Sequence, residues 1–104
     1  MVNYMTYKDR IAAGMTLLLE MLDSANPDSV LKKTFAVAAK RINVDDHDVG
    51  AIVNGLSEAG IVSGHEVITL TKHGNVLLDE LSAGRKAETE LGLVQNKIAD
   101  GKPK

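Results

Sequence analysis

The residues best equipped for chemistry are Asp45-Asp46-His47-Asp48, three carboxylates and an imidazole in a row, with His65 and His73 further along. Carboxylate oxygens and imidazole nitrogens bind divalent metals and serve as the acids and bases of hydrolysis. The spacing argues against both uses. Consecutive residues at a helix start point in different directions, and no two histidines stand three or four apart, the separation that puts a pair on one helical face. His47-Asp48 without further ligands is no hydrolase signature, and Asp45 or Asp46 better suits the cap of a helix. The chain has no cysteine, which removes thiolate metal sites and thiol nucleophiles. It also has no Gly-rich phosphate loop, serine elbow or pair of catalytic carboxylates. We therefore expect no enzymatic activity, no metal and no cofactor.

Charge and composition bound the partners. Lys32, Lys33, Lys40 and Arg41 are close in sequence, yet the formal net charge is −2, so there is no strongly basic surface of the kind that makes a nucleic-acid binder obvious. Hydrophobic residues at 44% and charged residues at 25% are the balance of a folded domain rather than a disordered tail. At 104 residues one core suffices, and with no Trp and one Phe it must be aliphatic. The longest apolar stretch, around Met15 and Leu19, falls far short of the roughly 20 residues of a membrane span. The first ten residues lack the pattern of a secretory signal. With cysteine absent, a cytoplasmic protein away from membranes is the expectation.

The elements that must position these side chains read as mainly α with a small β-hairpin. Ile11, Met15, Leu18 and Leu22, widened by Ala12 and Leu19, make a helical stripe over residues 6–23, opened by a capping-box-like Thr6 and Asp9. Asn26-Pro27-Asp28 ends that pattern and opens a second helix. Its apolar face is Leu31, Phe35, Ala38 and Ile42, and its four cations lie mostly away from that face. A polar connection around Val44 leads to a third helix, residues 46–59, carrying Val49, Ile52, Val53 and Leu56 and capped by Gly60. The period then changes to two β-rich runs around Ser63-Gly64-His65-Glu66, a very short hairpin. Thr71 caps a fourth helix with Val76, Leu77, Leu78 and Leu81, ending near Gly84. A fifth helix from Arg85 carries Ala87, Leu91, Val94 and Ile98 on one stripe. Residues 1–100 form one domain on this reading, with a core motif at 28–83, flanking helices at 6–23 and 85–99, and a tail at 101–104.

Two helices, a Gly-capped exit and a small hairpin describe a helix-turn-helix with a wing. The chain resembles the winged helix-turn-helix superfamily over roughly residues 30–83. The resemblance is carried by residues 38–44 leading to Val49, by Leu56 and Glu58-Ala59-Gly60-Ile61-Val62, and by Ile68-Thr69-Leu70-Thr71 with Gly74 three residues on. Regulators of the multiple-antibiotic-resistance type show a similar leucine-to-glycine-isoleucine exit and a similar leucine-threonine step to a glycine. The resemblance implies about five helices and a two-stranded wing, and a small prokaryotic or viral transcription regulator that binds double-stranded DNA as a homodimer.

It also implies roles. The third helix becomes the recognition helix, with His47, Asp48, Gly50, Ala51, Asn54, Gly55 and Ser57 outward. His47, Gly50, Ala51 and Asn54 are the candidate base contacts; Asn54 suits adenine and Ala51 a thymine methyl. Lys32, Lys33, Lys40, Arg41, Ser57, His65 and Lys72 are the candidate phosphate contacts. Leu91, Val94 and Ile98 are the candidate dimer contacts, with packing across one monomer as the alternative. One departure is plain: residues 43–60 hold Asp45, Asp46, Asp48 and Glu58 and no Lys or Arg. The alternative function is therefore a winged-helix interaction module, for example phage- or prophage-encoded, whose acidic helix binds a protein at the Gly50 and Asn54 face. Gly50 and Gly55, at a cost of roughly 1 kcal/mol each relative to alanine, imply either a surface that something approaches closely or tight packing between neighbouring helices.

Overall fold

A computed structural model describes residues 6–24, 29–83 and 86–100, apart from the side chains of residues 81–83 and 86–89. Along the chain lie α1 (Tyr7–Ser24), β1 (Ser29–Leu31), α2 (Lys32–Lys40), α3 (Asp46–Glu58), β2 (Val62–Ser63), β3 (Val67–Leu70), α4 (Lys72–Ala83) and α5 (Lys86–Asp100). The class is mainly α with a small β wing.

Helix α1 is the central element. Ile11, Met15, Leu18, Leu19 and Leu22 are all buried, as their spacing requires. Its start is a capping box: Thr6 Oγ1 accepts from the Asp9 N–H at 3.1 Å, and the Asp9 carboxylate accepts from the Thr6 N–H at 3.3 Å. From α3, Val49, Ile52, Val53 and Leu56 join the same core. Gly14 of α1 makes this approach possible, since a Cβ there would overlap Ile52 Cδ1.

The second helix starts later than the sequence implies. Residues 25–28, where Pro27 was to open it, lie outside the described residues, and Ser29–Leu31 is a strand. The sheet therefore has three antiparallel strands in the order β1-β3-β2, with Val30 opposite Ile68, Leu31 opposite Val67 and Val62 opposite Leu70. A two-stranded hairpin is only marginally stable in water, and β1 covers the free edge of β3. Val30, Val62, Ile68 and Leu70 face the core, while Ser29 Oγ and Thr69 Oγ1 meet at 3.1 Å on the outer side. Placing Leu31 in the strand also corrects the face of α2. Its buried residues are Phe35 and Ala39, whereas Leu31 is 54% and Ile42 36% exposed.

Helices α2 and α3 each end in a left-handed residue. Gly60 has φ +77°, its N–H reaches the Ser57 carbonyl at 3.0 Å, and the Ile61 N–H reaches that of Leu56 at 2.9 Å. This is the Schellman pattern, and it turns Ile61 into the core with no exposure. Asn43, at φ +64°, ends α2 in the same manner, and Val44 follows fully buried. At the next junction Thr71 Oγ1 accepts from the Gly74 N–H at 3.0 Å and donates toward the carbonyls of Gly60 and Ile61. A Cβ at Gly74 would overlap the Ile61 carbonyl oxygen, so a side chain is excluded where the first turn of α4 meets the Ile61 backbone.

Candidate functional site

The acidic start of α3 is built for structure. Asp45 is the N-cap, its carboxylate accepting from the Asp48 N–H at 2.9 Å, and the Asp48 carboxylate accepts in return from the Asp45 N–H at 3.3 Å. The backbone hydrogen bond to Asp48 holds the Asp45 carboxyl below its ordinary pKa of 3.8. Asp48, expected to point outward, is 2% exposed instead. Its remaining partner is Arg10 of α1, whose Nε donates to Oδ2 at 2.9 Å. The reason for the correction is physical: a carboxylate can be buried only with a counter-charge and satisfied lone pairs, and Arg10 with the Asp45 N–H supplies both. Arg10 also lies 5.6 Å from the centre of the Tyr7 ring. Burial raises the Tyr7 hydroxyl pKa, and the charge of Asp48 adds to the effect.

Of the four acids in this segment, two are therefore occupied at the cap. Asp46 and Glu58 remain on the exposed surface, Asp46 with Lys40 Nζ at 3.9 Å. With both side chains well exposed, that pair contributes little. Between them α3 presents His47, Asn54 and Ser57 exposed and Gly50, Ala51 and Gly55 half-buried.

This face forms one side of a groove of about 470 Å³ whose other wall is α5, through Val94, Lys97 and Ile98. His47, Gly50, Ala51 and Asn54, the four candidate base contacts, all line it. The two glycines separate here. A Cβ at Gly50 would meet nothing within 4 Å, whereas one at Gly55 would overlap Ile98 Cγ1 and Cδ1. Gly55 is a packing residue, and Gly50 is open surface.

The same contact redirects the fifth-helix stripe. Ile98 is 8% exposed, and Leu91 and Val94 are partly buried against the core, where α5 packs on α1, α3 and α4. These three candidate dimer contacts pack on the chain's own helices, with Ile98 buried and Leu91 and Val94 left partly exposed. On α4, Leu77 is buried and Leu78 partly so, but Val76 is 48% exposed.

The candidate phosphate contacts divide by position. Lys32, Lys33, Lys40 and Arg41 are all exposed. Lys33 and Arg41 share a shallow depression on α2 with Thr34, Val37 and Ala38. Lys32 and Lys33 border a second hollow of about 520 Å³, formed with Leu31, Ala36, Asp46, Val49 and Glu66 where the start of α2, the start of α3 and the wing meet. The wing is tied there by the Lys32 N–H, which donates to the Glu66 carbonyl at 2.8 Å. His65 is exposed in the wing turn beside Gly64, which has φ +98°. Ser57 and Lys72, though exposed, line neither hollow.

No group of three or more metal-ligating side chains occurs among the described residues. His73 pairs instead with Glu90 of α5 at 2.5 Å. No described helix is long and apolar enough to cross a membrane. Two site residues escape the sequence reading: Arg10, whose partner is 38 positions away, and Lys97, which reaches the α3 face only because Gly55 admits Ile98. A polar residue beside the last member of an apolar stripe was the only available sign of Lys97. Comparison with known protein families, curated proteins and solved structures finds no match to this chain.

Proposed function

We propose that the protein binds duplex DNA as a small winged helix-turn-helix transcription regulator, with α3 in the major groove. The observation that carries this reading is the outward face of α3: polar side chains at His47, Asn54 and Ser57, and bare backbone at Gly50, beside exposed Lys32, Lys33, Lys40 and Arg41 on α2. Two of the four acids of this segment are drawn into the cap, Asp48 paired with Arg10 and Asp45 turned to the helix N-terminus, which leaves Asp46 and Glu58 on the exposed face. Asn54 has the donor and acceptor pair for adenine, and the α2 cations supply phosphate contacts on the adjoining strand. Selection of duplexes from a random library tests this. Wild type enriches a defined sequence, and Asn54→Ala relaxes preference at one base pair with a loss of about 1–3 kcal/mol. Enrichment of nothing by wild type, or an unchanged motif with the variant, overturns the assignment of α3 as reader.

An interaction module is the second reading, favoured by the small-residue floor of the α3–α5 groove and by Asp46 and Glu58 at its rim. A basic helix from another protein has the complementary charge and shape. Such a protein shows no duplex affinity even at low salt.

A further inference from the structure

We propose that Lys97 of α5 contacts a DNA phosphate along the α5 edge of the α3 face, adding to the contacts of the α2 cations. The inference rests on the DNA reading and adds to it a phosphate contact from an element outside the helix-turn-helix and wing.

Four observations lead to Lys97. It lines the groove with His47, Gly50 and Asn54, and with the carboxylates Asp46 and Glu58, so its side chain borders the face assigned to base contacts and is the lysine of that lining. It is exposed, and no described carboxylate pairs with it within 4.0 Å. Its neighbour Ile98 is seated on α3 where Gly55 lacks a side chain, which fixes the height and rotation of this end of α5 against α3. Lys32, Lys33 and Lys40 of α2 and Arg41 just after it do not line this groove; Lys40 approaches it through Asp46, 3.9 Å from its Nζ.

The geometry of B-DNA supplies the remainder. A major groove about 12 Å wide admits one helix, and packed helices lie about 8–10 Å apart. With α3 centred in the groove, the axis of α5 falls beyond the groove edge, about 6 Å from its centre, and rides over the bordering sugar-phosphate strand. A lysine on the α3 side of α5 then meets phosphate, not base. Lys97 adds a phosphate contact from α5 to those of the α2 cations. Lys97 is thus a positioning residue with no part in base choice.

The experiment is equilibrium binding of a labelled duplex at 50–200 mM salt by wild type, Lys97→Gln and Lys97→Arg, with unfolding midpoints measured in parallel. Loss of one phosphate contact lowers the slope of log affinity against log salt by about 0.9. The ratio of wild-type to Lys97→Gln affinity therefore shrinks about 3.5-fold over that fourfold salt range. Lys97→Arg retains the wild-type slope, base preference is the same in all three, and the unfolding midpoint of each variant equals that of wild type. Wild-type binding with an equal slope in Lys97→Gln overturns the assignment of Lys97 alone. Absence of any wild-type binding overturns the DNA reading and the assignment with it.

Discussion

Replacing Gly50 and Gly55 separately by alanine should move stability in opposite directions, although both lie in the middle of α3. Each substitution gains about 1 kcal/mol of helix propensity. At Gly50 that gain stands, because the new Cβ meets nothing within 4 Å. The urea midpoint then rises by about 0.5–1 M for a slope near 1 kcal/mol per M. At Gly55 the methyl must displace Ile98 Cγ1 and Cδ1. Overpacking costs about 1–3 kcal/mol, and Ile98, 8% exposed at the groove rim, can swing aside for about the middle of that range. The net is a loss of about 1 kcal/mol and a midpoint lower by about 1 M. Ile98→Val supplies the internal check. Alone it costs about 0.5–1.5 kcal/mol, but beside Gly55→Ala it removes an atom that the new methyl would strike, so the two changes together lose less than their sum. Equilibrium urea unfolding of wild type and the four variants is the assay. Midpoints that move the same way for both glycines, or an Ile98→Val cost that is equal in both backgrounds, would refute the seating of α5 on α3.

Two further outcomes follow from the cap of α3. Arg10→Met leaves the Asp48 carboxylate buried without its counter-charge; such losses cost about 3–5 kcal/mol when a pair is fully buried, and with the Arg10 side chain 30% exposed about 2–3 kcal/mol is expected, a fall in Tm of about 10–20 °C. Adding Asp48→Asn to that variant restores part of the loss, whereas a drop of only a degree or two for Arg10→Met would make the tie an ordinary surface pair. Asp45 has its pKa lowered in the folded state by the Asp48 N–H, so its contribution is present above the unfolded carboxylate value near 4 and is lost as pH falls through the lower folded value. Asp45→Asn, which keeps an acceptor for the cap but not the charge, should therefore lie below wild type by a constant offset above about pH 5 and converge on it as the pH falls below about 4; identical acid slopes by thermal melts would count against the cap.

What was legible in the sequence was local or periodic. The α1 stripe, the reciprocal cap at Thr6 and Asp9, the exit at Gly60 and the cap at Thr71 depend on residues within five positions of one another, and each stands in the structure. What was not legible depends on distant partners. β1 is three residues long and takes its conformation from pairing with β3 some forty positions later, which neither propensity nor period can register. The same distance hid the burial of Asp48, whose outward place on a helical wheel was overridden by Arg10. Moving the start of α2 past Leu31 then rotated its buried face to Phe35 and Ala39. At the site, the α3 face was readable from spacing, but its second wall was not, because only the fit of Ile98 against Gly55 brings Lys97 beside it.

Fluorescence anisotropy of a labelled random duplex, titrated with the protein at several salt concentrations, tests DNA binding most directly. Phosphate contacts from the α2 lysines, Arg41 and Lys97 predict binding whose affinity falls steeply and linearly with log salt, by roughly 0.9 in the slope for each contact. Anisotropy that stays flat at the lowest salt would contradict the account and leave the α3–α5 groove to a protein partner.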